Sequence, residues 1–438
     1  MPYRHVKTMP TDRRKFIKTG AATSLIVAAP HIAKAENGDN NTIKIGLIGC
    51  GGRGTGAANQ ALKADPNVRL WALADAFPEQ VDRAVANLSG NPAYAKRIDV
   101  PKERRFAGLD AYQQLVDSGV DVVLIATPPG FRPQHLRAAI EAGKHVFAEK
   151  PMAVDMAGIH SVLQSAKLAD EKKLTIQHGY CWRFHPGTRA GYAQVHRGDI
   201  GAVRAVYGTY LSSPVRPLAN DARKPDGMSD VEWQVRNWIN FDWLSGGPLV
   251  EQAIHTVDKI AWAMGDALPV AAVANGGKHQ RSDPGNIYDN YFIAYEYPDN
   301  VFCHVAQRQY KGCHTEVIDR VNCEGGIMVG PGKNYVKDTD NKMVWRYRAE
   351  RGEEQDMYQV EHNELFAALR AGKHINAGVY MANSTALGIL GREAAHTGQR
   401  VTWDQLMASG QDMAPDDLKM SDSFEIAPLP MAGSSKLA

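Results

Sequence analysis

Apolar residues in the first third of the chain fall into short unbroken runs separated by stretches with helical spacing. Ile43, Ile45, Leu47 and Ile48 read as a strand that enters a glycine-rich turn, and the AANQALKA that follows the turn reads as a helix. Residues 68–74 (VRLWALA) form a second strand pattern ending on Asp75, and a helix with Pro78 near its start comes next. Past a polar loop at 89–101, residues 109–116 have helical spacing. Residues 120–126 (VDVVLIA) then form a continuous apolar run, as a strand buried on both faces requires. A helix with His135, Leu136, Ala139 and Ile140 on one side stops at Gly143, and 145–148 (HVFA) is the next strand. This alternation predicts an α/β fold with a doubly wound parallel sheet. A helix over 156–172 leads to a strand at 174–180 (LTIQHGY) that returns to the same sheet.

Beyond residue 200 the period changes from runs to alternation. Residues 202–211 alternate, as do 271–275, 290–297, 301–309 and 315–324, with turns such as Pro298-Asp299-Asn300 between them. Between the first two of these strands lies a polar loop at 212–242, too long to be an idle connection, in which Trp233 and Trp238, with Trp243 just beyond, argue for an ordered segment facing the substrate. Residues 360–371 and 382–397 are helical; the first could bring His362 and Asn363 close to the cleft, although a capping or surface role is the plainer expectation, and the polar tail after Leu418 is expected at the surface.

The chain's 438 residues imply two domains plus appendages, and a net charge of +2 gives no reason to expect nucleic acid as a partner. Cys50, Cys181, Cys303, Cys313 and Cys323 are too widely spaced for a zinc knuckle. Cys303 and Cys313 would pair only on adjacent strands, and free buried thiols are the plainer reading. Ahead of the first strand, Arg13-Arg14, then Phe16, Ile17 and Lys18, a mildly apolar run to Ala29 and Ala33-Lys34-Ala35 have the form of a twin-arginine export signal, with Asp12 where Ser or Thr is commoner. The run is too weak for a stable membrane anchor, so cleavage after Ala35 and a periplasmic or secreted location are expected. The resulting division is a signal at 1–35, a nucleotide-binding domain at 36–153, a substrate domain at 154–418 and a tail at 419–438.

Candidate chemistry begins in the first turn, where KIGLIGCGGRGTG places Gly49, Gly51 and Gly54 at dinucleotide-fingerprint spacing between strand and helix. Gly49 allows the tight turn, Gly51 lets backbone approach a pyrophosphate, Gly54 lets helix and strand close up, and Cys50, Gly52 and Arg53 complete the loop. Asp75 at the end of the second strand would accept hydrogen bonds from a ribose and repel a 2′-phosphate. NAD is therefore expected over NADP, with Arg53 as the one contrary sign.

The glycine fingerprint, the Thr127-Pro128 corner with His135 eight residues on, and the Glu149-Lys150-Pro151 corner together resemble the Gfo/Idh/MocA family of sugar and inositol oxidoreductases. That resemblance implies a Rossmann domain followed by an α/β domain with a large, mostly antiparallel open sheet. It implies a homo-oligomer, dimer or tetramer, formed through that sheet, and a carbohydrate substrate. Thr127, Pro128, His135 and Glu149 then belong to the cofactor side, and Lys150 lies beside nicotinamide and substrate. Tyr180-Cys181-Trp182-Arg183-Phe184-His185-Pro186 is similar to the family's cleft segment, in which Arg183 would clamp a hydroxyl-rich or anionic group and Trp182 offer a flat face to a sugar.

Glu251, His255 and Asp258 follow Gly246-Gly247 at i, i+4 and i+7, so one continuous helix would project all three from one face. A carboxylate one turn before a histidine can orient it as a general base with a pKa near neutral, although such a pair is also common as a plain surface ion pair. The resemblance assigns His255 the hydroxyl proton, with Glu251 standing where Asp is usual, and puts Tyr180 and Asp258 on the substrate side. Glu251 and His255 have no third ligand spaced for a metal. Two enzymatic schemes fit: hydride transfer by an exported NAD-dependent sugar oxidoreductase, or glycoside cleavage by transient oxidation on a bound NAD. A nucleotide-bound sensor would not need Lys150 and His255. Because free NAD is scarce outside the cytoplasm, a tightly held cofactor is expected.

Overall fold

The computed structural model describes residues 41–413 and 417–437, so the export signal expected at 1–35 lies outside the described residues. The first unit runs β1 (Ile43–Ile48), α1 (Gly52–Ala64), β2 (Val68–Asp75), α2 (Pro78–Ser89), β3 (Arg105–Ala107), α3 (Ala111–Asp117), β4 (Val122–Ile125), α4 (Arg132–Glu141), β5 (His145–Ala148), α5 (Met156–Lys172) and β6 (Ile176–His178). Its six strands pair in the order β3-β2-β1-β4-β5-β6, all parallel, which is a Rossmann sheet. Period-two alternation fills both faces. Val122 and Leu124 point into one apolar cluster with α1 and α2, while Val123 and Ile125 point into the other with α3, α4 and α5.

The second unit continues with α6 (Pro186–His196), β7 (Val203–Ser212), α7 (Asp230–Arg236), α8 (Asp242–Ser245), α9 (Gly247–Glu251), α10 (Ile254–Ala263), β8 (Ala271–Gly277), β9 (Asn290–Tyr297), β10 (Val301–Gln309), β11 (Glu316–Cys323), β12 (Gly326–Gly330), β13 (Tyr335–Asp338) and β14 (Met343–Arg346). It closes with α11 (Met357–Arg370), α12 (Gly378–Thr397), β15 (Val401–Thr402) and α13 (Trp403–Met407). The nine strands order as β14-β13-β12-β11-β7-β10-β9-β8-β15, antiparallel except for the β7/β10 pair. Helices α10 and α12 cover one face. The other leaves Tyr207, Phe292 and Phe302 exposed.

Three parts of the second unit depart from the sequence reading. Strands β12 to β14 extend the sheet beyond the last strand read from the sequence, and each is only four or five residues long, as strands toward a sheet edge often are. The loop at 212–242 contains helix α7, and Trp233 and Trp243 are buried in a cluster with Phe77, Val231 and Phe241. The tail is not simply solvated, because Met420, Phe424 and Ile426 pack against that same cluster. Four cysteines are buried and free, while Cys313 is free and exposed.

Candidate active site

The loop between β1 and α1 shows what each fingerprint glycine does. Gly49 has φ +93°, and a Cβ there would lie 2.7 Å from the backbone of Ala126 and Thr127. A Cβ on Gly54 would lie 1.8 Å from the Gly49 carbonyl oxygen, whereas one on Gly51 would meet nothing within 4 Å. The loop is thus pressed together at its ends and open in the middle, as close backbone approach by a pyrophosphate requires. Asp75 accepts hydrogen bonds from the Cys50 N–H at 2.6 Å and the Phe77 N–H at 3.0 Å. Burial raises its pKa, and those two N–H donors oppose the shift.

Beside this loop lies a cavity of about 230 Å³, lined by Gly49, Gly51, Asp75, Thr127, Pro128 and His135. The Thr127 hydroxyl lies 3.0 Å from His135 Nδ1, and His135 Nε2 is buried without a partner. Burial, followed by the charge of Arg132, pushes the His135 pKa down to about 3, so its imidazole is neutral at physiological pH. An open glycine, a ribose-height carboxylate and an orphaned ring nitrogen fit an adenine dinucleotide. Arg53 is turned away from Asp75: its Nε lies 3.1 Å from Glu149, and its guanidinium covers the Tyr358 ring at 4.5 Å.

Sequence reasoning missed the cavity's far wall. Phe77, Gln80 and Tyr112 come from the first unit, and Arg216, Val235, Arg236 and Trp238 from the second. Only the tryptophan-rich loop carried a signal, and that signal was read toward the substrate rather than the nucleotide.

At the reactive end the helical reading of 246–258 requires correction. Helix α9 stops at Glu251 and α10 begins at Ile254, so Glu251 and His255 do not share a helical face. The cause is local. Lys150 Nζ donates to the Glu251 carbonyl and lies 3.2 Å from Glu251 Oε1, while the His255 N–H turns to the Gln252 carbonyl at 3.3 Å. Glu251 therefore holds Lys150 and does not orient His255. His255 Nδ1 is buried without a partner, which leaves Nε2 as the edge reaching the surface. Burial, with Lys150 and Lys259 nearby, holds the His255 pKa well below 6.5, not near neutral.

The substrate assignments of Arg183, Asp258 and Tyr180 also need correction. Arg183 donates to Asp258 at 3.1 Å and to Asp266 at 2.6 Å, and its guanidinium lies 4.3 Å from the Tyr380 ring centroid. Asp258 also accepts from Ser384 at 2.8 Å and from Tyr380. With its donors taken up in this network, Arg183 ties α10 to α12 and is no substrate clamp. Tyr180 is fully buried, its hydroxyl 3.0 Å from that of Thr385. Trp182 is half-buried, with Lys259 Nζ 5.3 Å from its ring, and keeps an open edge. His362 is a core residue, its ring tilted against Phe147 with centroids 4.4 Å apart, not a cap. Tyr210 on β7 was not foreseen: burial, followed by the Glu251 charge, pushes its pKa up to about 12. Among the described residues, no group of three or more His, Cys, Asp or Glu side chains is placed to hold a metal ion.

Residues 43–180 match the family model described as an oxidoreductase family with an NAD-binding Rossmann fold, and residues 193–401 match its C-terminal alpha/beta domain. A dTDP-3,4-didehydro-2,6-dideoxy-alpha-D-glucose 3-reductase of Actinomadura kijaniata is 25% identical over 249 residues, 56% of this chain and 63% of the relative. Inositol 2-dehydrogenase 4 of Saccharopolyspora erythraea is 24% identical over 290 residues, 66% of this chain and 73% of the relative. The fold is similar to that of aldose-aldose oxidoreductase from Caulobacter crescentus in complex with glycerol, with TM-score 0.64 and 19% identity over 82% of this chain and 99% of that one.

Proposed function

This chain belongs to the Gfo/Idh/MocA oxidoreductase family, and from that membership we propose that it is an exported NAD-dependent oxidoreductase acting on a sugar or polyol hydroxyl. The observation that carries this reading is the pair Lys150 and His255. Lys150 lies at the carboxyl end of the parallel sheet and is held by Glu251, and His255 follows Glu251 four residues on, in the first turn of α10. When bound, NAD supplies the hydride acceptor. The chain supplies the rest. His255 Nε2 takes the hydroxyl proton, Lys150 donates a hydrogen bond to the same oxygen, and Trp182 offers a flat face for a ring. NAD is preferred over NADP because Asp75 stands at the ribose and Arg53 is committed to Glu149. The export signal supports a periplasmic or secreted location, and the exposed Phe292 and Phe302 on the second sheet support a homo-oligomer formed through that face.

Purified mature protein is expected to release NAD on denaturation and to oxidise members of a sugar and polyol panel, read as NADH absorbance with mass analysis of the product. A protein that contains no NAD and binds none when it is added overturns the proposal.

The acid limb of the oxidation rate provides a second test. A base accepts a proton only when neutral, and the His255 pKa lies below 6.5, so its neutral form persists as pH falls through that value. Activity in the oxidation direction is therefore expected to hold at pH 6.5 and to decline only below it. A pH profile of kcat/KM with an acid midpoint above 6.5 contradicts the assignment.

A further inference from the structure

We infer that the second domain carries a clasp over the adenosine half of the cofactor site, held from behind by the chain's own C-terminal tail, and that this clasp makes NAD a resident that does not exchange during turnover. The inference rests on the NAD-binding reading above and adds to it the residues that hold the nucleotide in.

Part of the cavity wall is built from outside the Rossmann unit, with Val235 and Arg236 from α7 and Trp238 just after it. Arg236 reaches across the domain boundary. Its guanidinium covers the Phe77 ring at 3.9 Å and bonds Glu79 on α2 at 2.8 Å, while Glu232 holds it at 2.9 Å from its own helix. Nearby, a Cβ on Gly130 would lie 2.3 Å from the Trp243 carbonyl oxygen, so the corner after β4 has room for α8 only because residue 130 is glycine. Phe131, which lines the same cavity, meets Trp243 edge-on at 5.9 Å. The cavity rim is therefore packed against the second domain along two separate contacts.

The tail supports this clasp from the other side. Gln234 Nε2 donates to the Phe424 carbonyl at 2.6 Å, and the Val231 N–H to the Asp422 carbonyl at 3.4 Å. Asp230 accepts from the Ser423 hydroxyl at 2.6 Å and the Phe424 N–H at 3.1 Å. Phe424 meets Trp243 edge-on at 5.1 Å, and Trp243 Nε1 donates to Gln234 Oε1 at 2.7 Å. A buried apolar cluster fixed by backbone bonds should hold better than the half-exposed Arg236–Glu79 pair, since ion pairs exposed to solvent contribute little. Removing the tail should therefore matter more than removing the arginine.

The test strips the full-length mature chain of its own nucleotide, reloads it with isotopically labelled NAD, adds excess unlabelled NAD, and follows label retained on the protein through gel filtration. The wild type is expected to keep its label for hours. Truncation after Leu418 is expected to speed release at least tenfold, and Arg236→Ala a few-fold, with circular dichroism and thermal unfolding confirming that both variants fold. If truncation prevents folding, Phe424→Ser replaces it and is expected to release label faster than wild type. Label release by the truncated or Phe424→Ser chain within twofold of wild type overturns the clasp. So does a wild type that binds label and exchanges it within seconds. A wild type that takes up no label and releases no NAD on denaturation overturns the NAD reading beneath it.

Discussion

Replacing His255 by glutamine is expected to lower kcat about 100- to 10,000-fold while leaving NAD bound, because a positioned general base contributes about that factor. Glutamine approximates the size of the ring but offers no base near neutral pH. His255 does not line the adenosine cavity, so bound nucleotide should stay at wild-type stoichiometry. The companion substitution Glu251→Gln separates two accounts of this corner. If Glu251 oriented the imidazole, its loss would move the acid limb of the rate profile. The structure instead gives Glu251 to Lys150 at 3.2 Å, so Glu251→Gln should lower the rate through the lysine and leave the acid limb in place. The readouts are kcat, the pH profile and nucleotide released on denaturation. Turnover by His255→Gln within threefold of wild type removes His255 from the mechanism.

Corners were legible in the sequence because each is a short local pattern. Gly49, Gly51 and Gly54, Asp75 and the Glu149-Lys150 corner each follow a run that can only be a buried strand, so their placement at the sheet's carboxyl edge follows from the topology. What could not be read depended on partners distant in sequence. The break between α9 and α10 arises because an ammonium 101 residues earlier takes the Glu251 carbonyl, and nothing in residues 246–258 announces it. Arg183 looked like a substrate clamp until Asp258 and Asp266 were found around it, 75 and 83 residues on. The same limit hid the cavity's second wall, whose α7 is anchored by tail residues some 190 positions away. Periodicity identifies which face of an element is buried; it does not identify what buries it.

Gly54→Ala and Gly51→Ala are expected to fail in opposite ways although both sit in one loop. A Cβ on Gly54 would stand 1.8 Å from the Gly49 carbonyl oxygen and 3.2 Å from the Ala126 Cβ, and the nearer atom is backbone. No rotamer relieves that contact, so α1 must move off β1. Overpacking of this kind costs about 3 kcal/mol or more, equivalent to a fall in Tm of roughly 6–12 °C for a unit of this size. Gly51 has nothing within 4 Å of its Cβ position, and its φ of −69° is one any residue adopts. Gly51→Ala should therefore leave the Tm of coenzyme-stripped protein within about 2 °C of wild type, since substitutions without a named clash usually stay within about 0.5 kcal/mol. Its Cβ would instead stand where the pyrophosphate must approach, and NAD affinity should fall at least about tenfold, or about 1.4 kcal/mol. Thermal unfolding of stripped protein and NAD titration separate the two. Wild-type affinity in Gly51→Ala would place the pyrophosphate elsewhere, and wild-type Tm in Gly54→Ala would mean that α1 and β1 do not meet as closely as this turn requires.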